Sequence, residues 1–287
     1  MEHITHILWH GLEHAFTDTI KLVPFLFVTY LVMEYLEHHA AGKTQRIMER
    51  SGKFGPLIGA VVGLFPQCGF SAAAANLYAA RVVSRGTLIA VFLATSDEML
   101  PILLSERAGA AAIVQLLGIK FVVGMAAGFV VDGISILLRK KRKEDQKIHE
   151  LCEQENCDCE AGVLPSAIRH TVHIALFLFV ATVILNIGIE LLGEDALTAF
   201  MQDRPFLSVA LTALAGLIPN CVASVLMTRL YLQGLLSLGA AMAGLLVGSG
   251  VGILVLFRMN QDRRDNLSIV GAVYLVGLIV GLVLTVL

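Results

Sequence analysis

The sequence predicts an all-α integral membrane protein made of two repeats of inverted topology, each with one Pro-interrupted helix that is broken or re-entrant. Apolar residues make up 56% of the 287 positions and charged residues only 15%, with a mean hydropathy of +0.77. Soluble domains carry about 45–50% and about 25% of these classes. The apolar residues also form segments long enough to cross a bilayer, and the two halves of the chain resemble each other.

Long apolar segments predict the membrane helices, because a lone strand would leave its backbone groups unpaired in lipid. These segments cover residues 20–38, 56–80, 86–104, 109–138, 171–192, 205–230, 234–257 and 267–287. A polar linker at 139–165 separates a first membrane repeat, 1–138, from a second, 166–287. The chain then has about eight to ten membrane helical elements, and it has ten if each Pro-interrupted segment is a hairpin of two short helices.

The internal repeat becomes visible when residues 55–131 are placed on 208–284 without a gap. The least chance-like match is a Pro-polar-Cys motif followed by a serine. It comprises Pro66, Gln67, Cys68 and Ser71 in the first half and Pro219, Asn220, Cys221 and Ser224 in the second. Inverted repeats with broken helices are the plan of many secondary transporters, whose substrate site lies near the membrane midplane.

Charge predicts the orientation. Basic residues after the first span, at 43–53, and in the linker, at 139–143, indicate cytoplasmic loops, whereas the acidic loop at 193–203 is best placed outside. In the first half three segments join two loops on the same side, and in the second half two segments join loops on opposite sides. One segment of each half must therefore turn back. With the helix-breaking residues Pro66 and Pro219 at those turns, both termini face outside.

A transport site is predicted where the chain breaks. Proline removes a backbone donor, so carbonyls near residues 62 and 215 should lose their helical partners. Amide oxygen and thiol beside them can hold a metal cation, and two adjacent carboxylates inside an apolar run are a functional hypothesis by default. The predicted site consists of Gln67, Cys68, Ser71, Asp97, Glu98, Asn220, Cys221 and Ser224.

Further metal ligands are predicted in polar parts of the chain. A histidine stripe at helical spacing follows the N-terminal segment and continues at the far end of the first span, and three cysteines crowd into the linker. Imidazole, carboxylate and thiolate suit transition metals or a trivalent arsenical. The residues are His10, His14, Asp18, Glu34, His38, Cys152, Cys157 and Cys159.

Several functional classes are excluded. With 21 basic and 23 acidic residues, the chain has no excess charge for nucleic acid. It carries no phosphate-binding loop, hydrolase motif or kinase motif, so we expect no enzyme and no permanently bound cofactor. The functional class that remains is transport driven by protons or another ion. The expected partners are lipid, a transition metal ion and the coupling ion, and a homo-oligomer is left open.

The FPQCGFS and IPNCVAS pair, the SDEMLP segment, the histidine-rich N-terminus and the cysteine-bearing linker together resemble a bacterial family of ten-transmembrane heavy-metal exporters. Its members are also labelled arsenic efflux proteins or manganese transporters. The resemblance covers essentially the whole chain and implies metal efflux across the plasma, or inner, membrane. Ten spans agree with five elements per half.

Three hypotheses follow. The first is a secondary exporter of a divalent transition metal, with Mn(II) as the first guess and Zn(II), Fe(II) or Co(II) as alternatives. The second is an efflux permease for arsenite or an organoarsenical, in which Cys68 and Cys221 supply thiolates. The third is a membrane protein that senses metal through the linker cysteines without transporting it.

Overall fold

The computed structural model describes residues 54–66, 68–96, 99–137, 163–192, 205–219 and 221–286, with short helical pieces between residues 16 and 31. Within these ranges every regular element is a helix. We number the longer ones α1 Gly55–Gly63, α2 Cys68–Ala79, α3 Arg85–Ala94, α4 Met99–Ser105, α5 Ala110–Leu137, α6 Val163–Leu192, α7 Pro205–Gly216, α8 Cys221–Leu232, α9 Leu238–Val247, α10 Gly252–Met259 and α11 Arg263–Val286.

The helices that are long enough to span a membrane differ in how much of each is buried inside the protein. Among the described residues, four stretches are long and apolar enough to cross a bilayer: Arg85–Ser105, Ala110–Leu137, Leu238–Met259 and Arg263–Val286. The first and third are 81% and 89% buried inside the protein, whereas the second and fourth are each 22% buried. The α3–α4 and α9–α10 stretches therefore form the interior, and α5 and α11 present most of their surface to lipid.

The helix boundaries recur at an offset of 153 residues. Helices α2 and α8 correspond residue for residue, as do α3 and α9, and α5 and α11 begin at corresponding positions. The N-caps correspond as well. The Ser84 side chain accepts a hydrogen bond from the Thr87 N–H at 3.1 Å, and the Ser237 side chain accepts one from the Ala240 N–H at 3.2 Å. Each serine pairs a donor that the first helical turn leaves unpaired.

Glycines let three helices of each half approach closely: α1, α3 and α5 in the first, and α7, α9 and α11 in the second. A Cβ atom added to Gly128 would lie 2.7 Å from the carbonyl oxygen of Gly86. The corresponding distance from Gly281 to the carbonyl oxygen of Gly239 is also 2.7 Å. Without a hydrophobic force between helices in lipid, such close backbone packing is a main source of association.

The two halves interlock rather than sit side by side. Helix α2 of the first half packs against α10 of the second, α8 packs against α4, and the interior helices α3 and α9 contact each other. A buried polar cluster adds to this contact at one end. The Tyr78 hydroxyl donates to Asp265 at 2.6 Å, the Asn260 amide donates to the same carboxylate at 3.1 Å, and an Arg85 nitrogen lies 3.8 Å from it.

Two boundaries differ from the sequence-based expectation. Helix α6 begins at Val163, inside the range that composition gives to the linker. The segments 86–104 and 234–257, expected as single spans, each divide into two helices. In the second of them the backbone of Gly250 has φ +56°, a left-handed conformation that leaves the α-helical path and favours glycine.

Alanine substitutions test the glycine packing. We expect Gly128→Ala and Gly281→Ala each to destabilise the protein by about 1–3 kcal/mol, because the added methyl group meets a backbone oxygen. Gly133→Ala and Gly271→Ala are matched controls on the same helices, since a Cβ atom there meets nothing within 4 Å. Melting temperatures in detergent measure the effect. Equal melting temperatures for all four variants would contradict this packing.

Candidate functional site

In each half, a helix ends before the Pro-polar-Cys motif and a new helix begins at its cysteine. Helix α1 ends at Gly63 and α2 begins at Cys68, while α7 ends at Gly216 and α8 begins at Cys221. The two prolines of the motif lie in these gaps. Both cysteines therefore occupy the first position of a helix, where unpaired N–H groups and the helix dipole stabilise negative charge.

The carbonyl groups before the two prolines accept hydrogen bonds from nearby backbone N–H groups. The carbonyl oxygen of Val62 accepts from the Phe65 N–H at 3.2 Å, and that of Ala215 accepts from the Ile218 N–H at 3.0 Å. Each carbonyl has therefore lost its helical partner, as expected, but is paired with another N–H group. A tighter turn with bonds to the third residue replaces the helical bond that proline prevents.

The next two carbonyls of α1 are paired from elsewhere in the fold. Ser96, which follows α3, donates its backbone N–H to the Gly63 oxygen at 3.2 Å and its hydroxyl to the Leu64 oxygen at 2.6 Å. Ser96 is itself buried. The segment that continues directly into Asp97 and Glu98 is thus fastened to the interruption after α1.

The second half carries the equivalent loop at residues 248–251, between α9 and α10. Its Ser249 corresponds to Ser96 but makes no such bond. The Ser249 side chain is fully buried, and its hydroxyl has no hydrogen-bond partner among the residues that the structure describes. A buried hydroxyl without a partner is costly, so it marks a place where a bound group or water would be stabilised.

The loop at 248–251 lies between the starts of α2 and α8. A Cβ atom on Gly248 would lie 3.3 Å from the Ser224 hydroxyl oxygen of α8. A Cβ atom on Gly252, at the other end of the loop, would lie 2.9 Å from the Cβ atom of Ser71 in α2. Three buried serines, Ser71, Ser224 and Ser249, therefore gather where the two halves meet.

Most of the other predicted site residues lie outside the described ranges. Within the described ranges, no three His, Cys, Asp or Glu side chains come together to hold a metal ion. The following predicted residues lie outside those ranges: Gln67, Asp97, Glu98, Asn220, His10, His14, Asp18, Glu34, His38, Cys152, Cys157 and Cys159. For Cys68 and Cys221 only the backbone is described. Their roles stay predictions.

Sequence reasoning missed two buried ionisable residues. Lys120 is 1% exposed in α5 and donates to the carbonyl oxygen of Leu245 in α9. It was detectable as the one charged residue in the first 22 positions of that helix. Asp265 is 4% exposed, yet it sits among basic residues that look like an ordinary solvated loop. Its burial and its contacts with Tyr78, Asn260 and Arg85 distinguish it in the structure.

Taken together, several apolar helices, a buried polar interior and interrupted elements define a multi-pass helical membrane protein. Residues 5–187 match the sequence family described as "Putative, 10TM heavy-metal exporter". The match covers more than half of the chain, so the protein belongs to this family, and the resemblance carried by its motifs is confirmed. No curated protein and no solved structure gave a significant match.

The two equivalent serines should respond differently to loss of the hydroxyl. We expect Ser96→Ala to destabilise the protein by about 1–3 kcal/mol, because the Leu64 carbonyl loses its partner. Ser249→Ala should leave the melting temperature unchanged or raise it, since no bond is lost. Thermal unfolding of the two variants in detergent measures both effects. A destabilised Ser249→Ala protein would show that its hydroxyl has a partner.

Proposed function

We propose that this protein is a secondary-active exporter of a divalent transition metal cation, with Mn(II) as the first candidate and protons as the coupling ion. The observation that carries the proposal is the buried loop at 248–251, held between the starts of two helices from opposite halves. Its setting matches the general plan of secondary transporters, in which discontinuous helices meet at the substrate site.

Two repeats of inverted topology are part of this proposal. The recurrence of helix boundaries and glycine contacts at one offset supports a repeat, and the basic loops support opposite directions for the halves. The central linker would then be cytoplasmic, both termini outside, and the plasma membrane the location. Alternating access would arise from movement of one half against the other.

The described part of the site carries no negative charge, so a bound cation would need carboxylates from elsewhere in the chain. The first turns of α2 and α8 present the positive ends of their helix dipoles, and Ser71, Ser224 and Ser249 offer only neutral hydroxyls. A dication that sheds water there requires negative charge. Asp97 and Glu98 are the carboxylates that the chain supplies directly after Ser96, so we propose that they bind the metal with the oxygens of Gln67 and Asn220.

An arsenical is the second candidate substrate, and a specific observation favours it. Both α2 and α8 begin with a cysteine, at positions where a helix stabilises a thiolate. Two thiolates suit a soft trivalent arsenical better than a hard dication. In this case the site would depend on Cys68 and Cys221, and the carboxylates would handle protons.

The N-terminal histidines and the central linker would serve the same transport. We propose that the histidine stripe with Glu34 and His38 collects metal or relays protons, and that the linker cysteines capture metal on the cytoplasmic side. If those cysteines bind metal while no flux occurs, the protein is a sensor instead.

Flux measurements in proteoliposomes test the proposal. With a pH gradient imposed, Mn(II), Zn(II), Fe(II), Co(II) and arsenite are compared side by side with the purified protein. We expect saturable flux of a divalent metal that falls at least tenfold in Asp97→Asn or Glu98→Gln, because the positive helix ends are then uncompensated. Glu106→Gln is the matched control, since Glu106 is an exposed carboxylate just after α4.

The cysteine variants separate the two substrates. Flux of arsenite alone that disappears in Cys68→Ser and Cys221→Ser would replace the divalent metal with the arsenical. Ser249→Ala should reduce flux of whichever substrate is carried while leaving the melting temperature unchanged. The absence of flux for every compound would contradict the transporter itself.

A further inference from the structure

The strongest feature that the proposed function leaves unused is a group of hydrogen-bond donors at the start of α11. Arg264 is the second residue of this helix, and Ser268 follows one turn later on the same face. Arg85, the first residue of α3, reaches this face from the other half of the chain. Its Nη2 atom donates to the Ser268 hydroxyl at 2.5 Å. Two arginines and one serine therefore lie together at this end of the protein.

The two guanidinium groups keep unused donors. In Arg85 the Nη1 atom lies 3.8 Å from the Asp265 carboxylate. The Nε atom of Arg85 is buried and has no hydrogen-bond partner among the described residues. The Arg264 side chain is exposed and forms no ion pair within the same ranges. A buried N–H group without an acceptor is costly, and the geometry of a guanidinium matches that of a carboxylate or phosphate.

No exposed acidic side chain within the described ranges competes for these donors at this end of the fold. Asp265 is 4% exposed and accepts two hydrogen bonds inside the protein. Asp262 is partly buried and accepts from the backbone N–H groups of Arg264 and Asp265 at 3.1 Å each, so it caps α11. The exposed charged residues around the turn between α10 and α11 are all basic, namely Arg258, Arg263 and Arg264.

An apolar surface continues from these donors along α11. Leu275, Ile279 and Val283 follow on the same face at helical spacing and are 55%, 57% and 52% exposed. Between them and Ser268 lies Gly271, where an added Cβ atom would meet nothing within 4 Å. We call these four residues the lipid stripe, because α11 presents most of its surface to lipid. A ligand that uses both surfaces combines an anionic group with apolar chains.

The repeat alone does not impose these donors, because the equivalent positions of the other half are uncharged. At the offset of 153 residues, Arg85, Arg264 and Ser268 correspond to Leu238, Ala111 and Gln115. Helix α5 nevertheless presents as much of its surface to lipid as α11 does. The lipid-facing helix therefore recurs without the two arginines, which indicates a role for them beyond packing.

We propose that Arg85, Arg264 and Ser268 bind the phosphate group of an anionic phospholipid, whose acyl chains lie along the lipid stripe. Guanidinium groups bind phosphate through paired hydrogen bonds, and basic sites at the ends of membrane helices recognise anionic headgroups. A zwitterionic lipid is the poorer occupant, because its ammonium group meets arginines and no exposed carboxylate. The bound lipid lies beside the contact between Arg85 and Asp265, which joins the two halves.

Lipid binding to the metal-free protein in detergent tests this site. Dioleoyl phosphatidylglycerol and dioleoyl phosphatidylcholine share their acyl chains and differ in headgroup charge. Native mass spectrometry measures the affinity of each lipid, and thermal unfolding measures the stabilisation. We expect phosphatidylglycerol to bind about fivefold more tightly or better and to raise the melting temperature more. Equal affinity and equal stabilisation by the two lipids would overturn the proposal.

The variant Arg264→Gln separates a headgroup site from general solvation by lipid. Because Arg264 is exposed, the variant should keep the melting temperature of the unmodified protein in the absence of lipid. Its affinity for phosphatidylglycerol should fall about fivefold. Arg107→Gln is the matched control, since Arg107 is an exposed arginine beside Glu106 at the opposite end of the Arg85–Ser105 stretch. Loss of affinity in both variants, or in neither, contradicts the site.

Two measurements on the unmodified protein decide the question even if Arg264→Gln yields no folded protein. Raising the NaCl concentration about tenfold should weaken binding of phosphatidylglycerol but not of phosphatidylcholine, because salt screens the headgroup charge. Inorganic phosphate has no acyl chains, so it should stabilise the protein less than the lipid does. Binding that salt leaves unchanged, or equal stabilisation by inorganic phosphate, overturns the proposal. Neither measurement involves metal flux, so both are independent of the proposed function.

Discussion

The structure depends on one constraint: a helix that ends inside a membrane leaves carbonyls that only the protein can pair. Helix α1 ends at Gly63 and α9 ends at Val247, both within apolar segments. Ser96 supplies the donors for α1, and Lys120 supplies a donor for α9. Each solution brings a polar residue into the interior from a different helix. The same contacts that complete the backbone pairing therefore create a polar centre in an apolar protein.

The backbone packing around this polar centre recurs in both halves, but its polar side chains differ. Glycine contacts, N-caps and helix starts recur between the halves because backbone packing constrains them equally. Individual polar side chains at corresponding positions differ between the halves. Ser96 is paired, whereas the Ser249 hydroxyl has no partner among the described residues, and Lys120 corresponds to Val273. Such asymmetry agrees with one transport site per chain, formed by both halves, rather than two equal sites.

The contacts between the two halves limit how the site could open. Because α2 contacts α10 and α8 contacts α4, each interrupted helix is held by the opposite half. A change that opens the site must shift these contacts together. The cluster around Asp265 joins the halves at one end through Tyr78 and Arg85. If the halves move against each other as proposed, these contacts have to break or move with them.

The sequence by itself determined the class of protein, the offset of the repeat and the family, and it predicted an interruption at each Pro-polar-Cys motif, because composition, periodicity and proline chemistry act locally. It also predicted Ser71 and Ser224 as members of one site, and the structure brings them to the same loop. Only the tertiary structure showed the breaks after α3 and α9 and the contact of Lys120 with Leu245. These depend on which carbonyl a distant donor reaches, and residues 125 positions apart acquire a distance only when the helices pack.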